Sequence, residues 1–192
     1  MDIGYIIIVI VIIIFSMTLH EAMHAFVGYW LGDDTAKKQG RLTLNPIKHI
    51  DPFLTILLPL ILAISGLPIF GGAKPVPFNP DRVKGDEWGA ALIAAAGPLT
   101  NLLIAFIAFG IGVVTGIISE DGIQATIFGT IIITAINVNL GFFIFNMLPI
   151  PPLDGSRVLY ALAPEFVRRV MEQIERYGII LVFVLVLLAS SV

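Results

Sequence analysis

An uncharged run at residues 3–19 leads directly into the sequence HEAMH at residues 20–24. An apolar helix continuing to about Leu31 would be long enough to cross the hydrocarbon core of a bilayer. A charged side chain near the centre of such a helix costs roughly 2.5–3.5 kcal/mol, and ionisable residues within spans usually serve a function. The run therefore predicts a membrane helix whose two histidines and glutamate share one partner.

The rest of the chain is also apolar. Hydrophobic residues make up 57% of its 192 residues and charged residues 13%, with a mean hydropathy of +0.97. No soluble domain of this size has enough interior to hide that much apolar surface. We therefore expect an all-α polytopic membrane protein with about 4–6 membrane segments, forming one domain over residues 1–192. The further uncharged runs are residues 53–73, 88–119, 122–153 and 177–192.

Several classes of function are excluded by what the chain lacks. It has no basic tract, so nucleic acid is not an expected partner. It has no cysteine, which excludes disulfides and thiolate metal sites. The N-terminus has neither a positive region nor a small-residue cleavage site, so we expect the first span to be retained.

The eleven lysine and arginine residues predict the topology. By the positive-inside rule their three groups face the cytoplasm, whereas the connection at Glu120 and Asp121 between two antiparallel spans faces out. Two groups flank residues 53–73, whose prolines and glycines break helices. We therefore expect this run to re-enter the membrane rather than cross it, with a true span as the alternative. The groups are Lys37, Lys38, Arg41 and Lys48; Lys74, Arg82 and Lys84; Arg157, Arg168, Arg169 and Arg176.

Two polar segments predict extended structure at the membrane surface. Residues 40–44, GRLTL, alternate apolar and polar side chains, which indicates a short strand. Residues 74–80, KPVPFNP, carry three prolines and are predicted to be extended, with an edge strand as an alternative. Either segment offers an edge to which an unwound peptide could add as a strand.

The HEAMH sequence has the spacing of a zinc site. His20 and His24 lie four residues apart, so on a helix they project from one face and can bind one Zn²⁺ ion. Glu21 beside them can act as general base toward a water held by the metal. The alternative is a set of buried polar residues that bridge helices. The membrane setting favours the metal, since three ionisable groups within five residues need a common partner.

A catalytic zinc site usually has a third protein ligand. His49 lies among Pro46, Lys48, Asp51 and Pro52, where a surface or capping role is expected. Asp154 is better placed, because the prolines before it break the fourth run and can turn the chain inward. Its alternative role is to cap the helix that follows. The topology brings the end of the first helix and Asp154 to the same side of the membrane.

These motifs together resemble the site-2 protease family of zinc intramembrane metalloproteases. HEAMH matches its HExxH helix, AAGPLTN at 95–101 its Gly-Pro-x-x-Asn helix, and FNMLPIPPLDG at 145–155 its Leu-Asp-Gly element. The resemblance implies His20, His24 and Asp154 as zinc ligands and Glu21 as the catalytic base. It also implies contact of Asn146 with the substrate or tetrahedral intermediate, and a supporting or substrate-binding role for Asn101.

The resemblance is to a compact prokaryotic branch without PDZ or CBS domains. It implies hydrolysis of peptide bonds in or near transmembrane segments of membrane-protein substrates. The lipid bilayer is the other expected partner, with the active site near the cytoplasmic side of a prokaryotic cell membrane. A metal-ion transporter or binding protein using the same residues is the main alternative, and a noncatalytic adaptor is a weaker one. Convergence of the ionisable residues at one level favours the protease.

Four further positions have packing roles as the simplest interpretation. Gly97 and Pro98 allow close helix approach at least as readily as they form a gate. Asn137 and Asn139, deep in the fourth run, are expected to form hydrogen bonds between helices rather than take part in catalysis.

Overall fold

The computed structural model describes residues 3–58, 61, 72–120 and 122–189. Three long helices form its body: α1 (Ile3–Trp30), α3 (Asp86–Val114) and α4 (Ile127–Asn146). Each is long and apolar enough to cross a membrane. The prediction of a polytopic, mainly helical membrane protein is therefore confirmed.

Four shorter helices complete the helical part of the described chain. Helix α2 (Thr35–Lys38) follows α1, and α5 (Asp154–Leu162), α6 (Glu165–Glu175) and α7 (Gly178–Ala189) follow α4. One-turn 3₁₀ helices lie at Pro46–Lys48 and Pro80–Arg82, and a π-helical turn lies at Pro52–Leu57.

Helix α1 ends in a turn that redirects the chain after Trp30. The N–H of Gly32 donates to Tyr29 O at 3.1 Å, and the N–H of Asp33 donates to Gly28 O at 2.9 Å. This is the Schellman pattern, and Gly32 has the positive φ of 105° that the pattern requires. The turn buries Asp33 directly after the helix.

Most of the run at residues 53–73, predicted to be re-entrant, lies outside the described residues. Its two described ends are nevertheless in contact. The N–H of Gly72 donates to Leu54 O at 3.1 Å, and the Thr55 hydroxyl donates to Gly72 O at 2.6 Å. A straight crossing would separate the ends by about 30 Å. The described ends of the run lie together instead, and re-entry of the residues between them stays a prediction.

The strand predicted at residues 40–44 is wrong. These residues form turns, because side chains bond the backbone groups that a strand would need: His49 Nε2 donates to Thr43 O at 2.9 Å. Residues 72–79 form no ladder either. The strands found in the described chain are β1 (Ile118–Ser119) and β2 (Gly122–Ile123). They form a small antiparallel hairpin between α3 and α4.

The three spans pack through small side chains and present large ones outward. Helix α3 lies at the centre, in contact with α1, α4 and α5. Close approach through alanine and glycine is the usual way in which membrane helices pack. Large apolar side chains such as Phe15, Leu103 and Phe106 are exposed, as expected for a lipid-facing surface. The buried small residues of α3 are Gly89, Ala91, Ala94, Gly97, Ala105, Ala108 and Gly112.

Candidate metal centre

Two histidines on one face of α1 begin the site. His20 and His24 are both buried, and their Nε2 atoms lie 3.0 Å apart. A spacing of four residues on a helix produces this arrangement without help from the rest of the chain. Both Nε2 atoms point to the same small space between α1 and α3.

Asp154 completes a group of three potential ligands. Its Oδ2 atom lies 3.2 Å from His20 Nε2 and 3.4 Å from His24 Nε2. The alternative role as a helix cap is not observed, since Asp154 is the first residue of α5 and Leu153 occupies the cap position.

The spacing of these three atoms fits zinc. Ligand atoms about 2.0–2.1 Å from a tetrahedral zinc ion lie about 3.3–3.4 Å from one another. The three observed separations run from 3.0 to 3.4 Å. Within the described part of the chain, these residues form the group of histidine and acidic side chains able to hold a metal ion. The donor set of two imidazoles and one carboxylate also suits zinc.

Gly97 leaves the space that the metal requires. A Cβ atom at this position would lie 2.4 Å from His24 Nε2 and 2.6 Å from His20 Nε2. Any larger residue would therefore fill the site from the α3 side. The prediction of close helix packing at Gly97 agrees with this geometry, although the sequence did not show that the close approach is to the metal ligands.

The Nδ1 atoms of the histidines determine which nitrogen is available to a metal. His24 Nδ1 lies 2.6 Å from Ile93 O, and His20 Nδ1 lies 2.6 Å from Asn101 Oδ1. Both oxygens can only accept, so each Nδ1 carries a proton. In the neutral imidazole this tautomer leaves the Nε2 lone pair for a metal, as is usual when an outer partner orients a metal-binding histidine.

A chain of buried amides orients Asn101. Its Nδ2 donates to Asn139 Oδ1 at 2.9 Å, and Asn139 Nδ2 donates to Ser16 Oγ at 2.9 Å. Asn101, Asn139 and Ser16 are completely buried, and together they link α1, α3 and α4. This geometry matches the supporting role of Asn101 rather than contact with a substrate, and it matches the interhelical role predicted for Asn139. The sequence alone did not identify Ser16 as part of this network. The feature that could have indicated it is its position four residues before His20, on the same helical face.

Glu21 contacts the backbone of residues 72–79. Its Oε2 atom accepts the N–H of Val76 at 3.0 Å. Two further contacts hold this segment: Arg41 donates to Lys74 O, and the N–H of Lys74 donates to His49 O at 2.9 Å. The segment at residues 72–79 is therefore held against the end of α1 that carries Glu21.

Asp33 holds the C-terminal end of residues 72–79 in place. Its Oδ2 atom accepts the N–H of Asn79 at 2.7 Å, and its Oδ1 atom accepts from the hydroxyl and the N–H of Thr35. Burial raises the pKa of Asp33, but these hydrogen bonds outweigh it and leave the pKa below its ordinary value. The ionised carboxylate thus ties residues 72–79 to the end of α1.

The two other candidate residues lie apart from the metal group. His49 is buried rather than on the surface, and it has the alternative role predicted for it, as the C-cap of the 3₁₀ helix at Pro46–Lys48. Its Nε2 donates to Thr43 O. Asn146 is the last residue of α4, and its Nδ2 donates to Phe142 O of the same helix at 3.0 Å. Contact of Asn146 with a substrate stays a prediction.

Comparison with known proteins identifies the family of the chain. The model of peptidase family M50 matches residues 116–190. The chain is 45% identical over 178 residues to YwhC of Bacillus subtilis (strain 168), which covers 92% of this chain and 78% of YwhC. It is 32% identical over 187 residues to Rip2 of Mycolicibacterium smegmatis, covering 96% and 68%. Both are named "Putative zinc metalloprotease". No solved structure matches. The chain thus belongs to peptidase family M50, the site-2 protease family of zinc metalloproteases.

Proposed function

We propose that this zinc metalloprotease is an intramembrane endopeptidase that hydrolyses peptide bonds in or near transmembrane segments of membrane-protein substrates. His20, His24 and Asp154 hold the zinc ion, and Glu21 is the general base. The observation that carries this proposal is the convergence of three ligand atoms within 3.4 Å of one another, next to Glu21, on helices built to lie in a membrane.

The position of the site along α1 supports action on a membrane-embedded substrate. The residues of α1 before His20 form about 25 Å of helix, so the site lies toward the far end of a hydrocarbon core about 30 Å thick. The basic groups lie at the same end of the spans, which supports a cytoplasmic active site. The Asp154 side chain is 23% exposed, whereas those of His20 and His24 are 9% and 10% exposed. The Asp154 side is therefore the more open side of the site, and we expect water to enter there.

Zinc and Glu21 have different roles in the proposed hydrolysis. When bound, zinc supplies a Lewis acid that polarises a carbonyl group and lowers the pKa of a bound water to about 7. Glu21 uses Oε2 to accept from Val76, and its Oε1 has no partner among the described residues. That oxygen can take the proton from the attacking water and pass it to the leaving amine. The Val76 contact keeps the carboxylate in a single orientation.

The backbone of residues 74–77 limits how a substrate can bind. The N–H groups of Lys74 and Val76 are used by His49 O and Glu21, so this edge is occupied. Pro75 and Pro77 face the opposite edge and have no N–H. A substrate strand at that edge could donate to Pro77 O but would receive no hydrogen bond in return, and Pro75 O already accepts from Arg41 Nη2 at 3.4 Å. The carbonyl groups of the substrate would stay available for reaction.

The proposal can be tested with purified protein in liposomes. Wild type, Glu21→Gln and the control Glu120→Gln would be given a panel of single-span membrane proteins, with bound zinc measured in each. We expect zinc in all three, with cleavage lost only in Glu21→Gln. Equal cleavage by Glu21→Gln and wild type would remove Glu21 as the base. Zinc flux into the liposomes that persists in Glu21→Gln and is lost in Asp154→Ala would support the transporter alternative.

A further inference from the structure

Helix α6 packs against α5 through its polar side. Arg157 Nη2 of α5 donates to Glu175 Oε1 at 2.6 Å, and Tyr160 Oη of α5 donates to Glu172 Oε1 at 2.8 Å. Met171 is the buried apolar residue on this side of α6. A helix of a water-soluble domain normally turns its apolar stripe inward and its charges outward. Helix α6 has largely the reverse orientation.

The outward side of α6 is an apolar stripe. Phe166, Val170 and Ile174 follow one another at intervals of four residues and therefore lie on one face of α6. Tyr177 extends the row in the turn after the helix, where its N–H donates to Ile174 O at 2.9 Å. The four residues are 72%, 52%, 36% and 63% exposed, respectively. Large side chains in such a row are stable in contact with an apolar environment rather than with water.

The depth of α6 is indicated by its contact with α3. Arg168 Nη1 donates to Glu87 Oε1 at 2.8 Å, which places α6 beside the first turn of α3. Helix α3 has 29 residues, so its length of about 43 Å exceeds the hydrocarbon core and its charged first turn lies at headgroup level. The exposed Trp88 in this turn is typical of the membrane–water boundary.

We propose that α6 lies in the membrane–water interface, with its apolar stripe (Phe166, Val170, Ile174 and Tyr177) against the acyl chains of the leaflet nearest the metal centre. The stripe continues into α7, whose Ile180 and Leu181 are also exposed. Amphipathic helices of this type immerse their apolar face by about 5–10 Å.

The charges of α6 indicate which lipids it needs. Residues 165–176 contain three acidic and three basic side chains, and most of them form ion pairs within the protein. Binding of α6 to the bilayer therefore depends on contact of its apolar stripe with acyl chains and not on anionic headgroups. Because α5 begins with Asp154 and is bonded to α6, the bilayer surface also helps to position this metal ligand.

The chain has no cysteine, so single cysteines can carry spin labels at chosen positions. Phe166→Cys, Val170→Cys and Ile174→Cys report the stripe, and Arg169→Cys reports the charged flank beside it. Leu103→Cys on α3 and Lys38→Cys on α2 are the lipid-facing and water-facing controls. Each full-length variant would be placed in phosphatidylcholine liposomes, and its label tested for collision with oxygen, which concentrates in lipid, and with a water-soluble nickel chelate.

We expect the three stripe labels to collide with oxygen more than with the chelate, as the deeper label at Leu103 does, and to lie about 5–10 Å below the phosphates. The label at Arg169 should collide with the nickel chelate. Stripe labels as accessible to the chelate as the label at Lys38 would overturn the proposal. Stripe labels shielded from both reagents would also overturn it, because protein would then cover the stripe. Loss of that shielding at a lower protein-to-lipid ratio would identify a second copy as the cover.

Discussion

Replacing Gly97 by alanine would test the geometry of the metal centre directly. The added Cβ would lie 2.4 Å from His24 Nε2 and 2.6 Å from His20 Nε2, whereas ordinary contact begins at 3.4 Å. At least one imidazole would have to withdraw by about 1 Å, or α3 would have to move away from α1. Zinc sites tolerate deviations of only about 0.2 Å in ligand distance.

The expected loss of zinc affinity follows from this displacement. Mutation of an outer partner that only orients a ligand typically costs about 10- to 100-fold in metal affinity. Gly97→Ala displaces a ligand itself, so we expect a loss of at least about 100-fold, equivalent to about 2.8 kcal/mol. The alanine also favours helix formation by about 1 kcal/mol, so α3 should remain folded.

Gly110→Ala provides the matched control. Gly110 lies on the same helix, and a Cβ there would meet nothing within 4 Å. Zinc affinity would be measured for both variants and wild type by competition with a chromophoric chelator, and helix content by circular dichroism. We expect Gly110→Ala to bind zinc like wild type and Gly97→Ala to bind it far more weakly with unchanged helix content. Equal zinc affinity in the two variants would refute the assignment of this space to the metal.

Three further predictions concern the surroundings of the site. Asn139→Ala should lower zinc affinity about 10- to 100-fold in chelator competition, because Asn101 loses the partner that orients it, whereas Asn137→Ala should have no effect. Zinc at 100 times its Kd should stabilise the protein by about 2.7 kcal/mol, measured as a thermal shift that His24→Ala abolishes. Asp33→Asn should destabilise the fold by about 1–3 kcal/mol in denaturant unfolding, because an amide nitrogen cannot accept from Asn79. Since folding lowers the pKa of Asp33, its contribution should be present above about pH 3.9 and decline as the pH falls through the lower folded value, with no such dependence in Asp33→Asn.

Some features of this protein could be predicted from short stretches of sequence because their causes are local. The helix of residues 3–30 follows from an apolar run in lipid, where the backbone must form its own hydrogen bonds. The shared face of His20 and His24 follows from their spacing of four residues. The strand predicted at residues 40–44 failed because local alternation was its only support. The side chain of His49 takes the carbonyl of Thr43 that a neighbouring strand would have bonded.

The meeting of distant residues was decided by the tertiary structure. Asp154 is 130 residues beyond His24, and only the packing of α1, α3 and α5 brings them within 3.4 Å. The tertiary structure also turns Gly97 toward the imidazoles and brings the Val76 N–H to Glu21 Oε2. A sequence therefore determines which segments cross the membrane and which residues can bind zinc, because these depend on composition and helical spacing. The rotation and closeness of the helices determine the site, because they depend on contacts across the whole bundle.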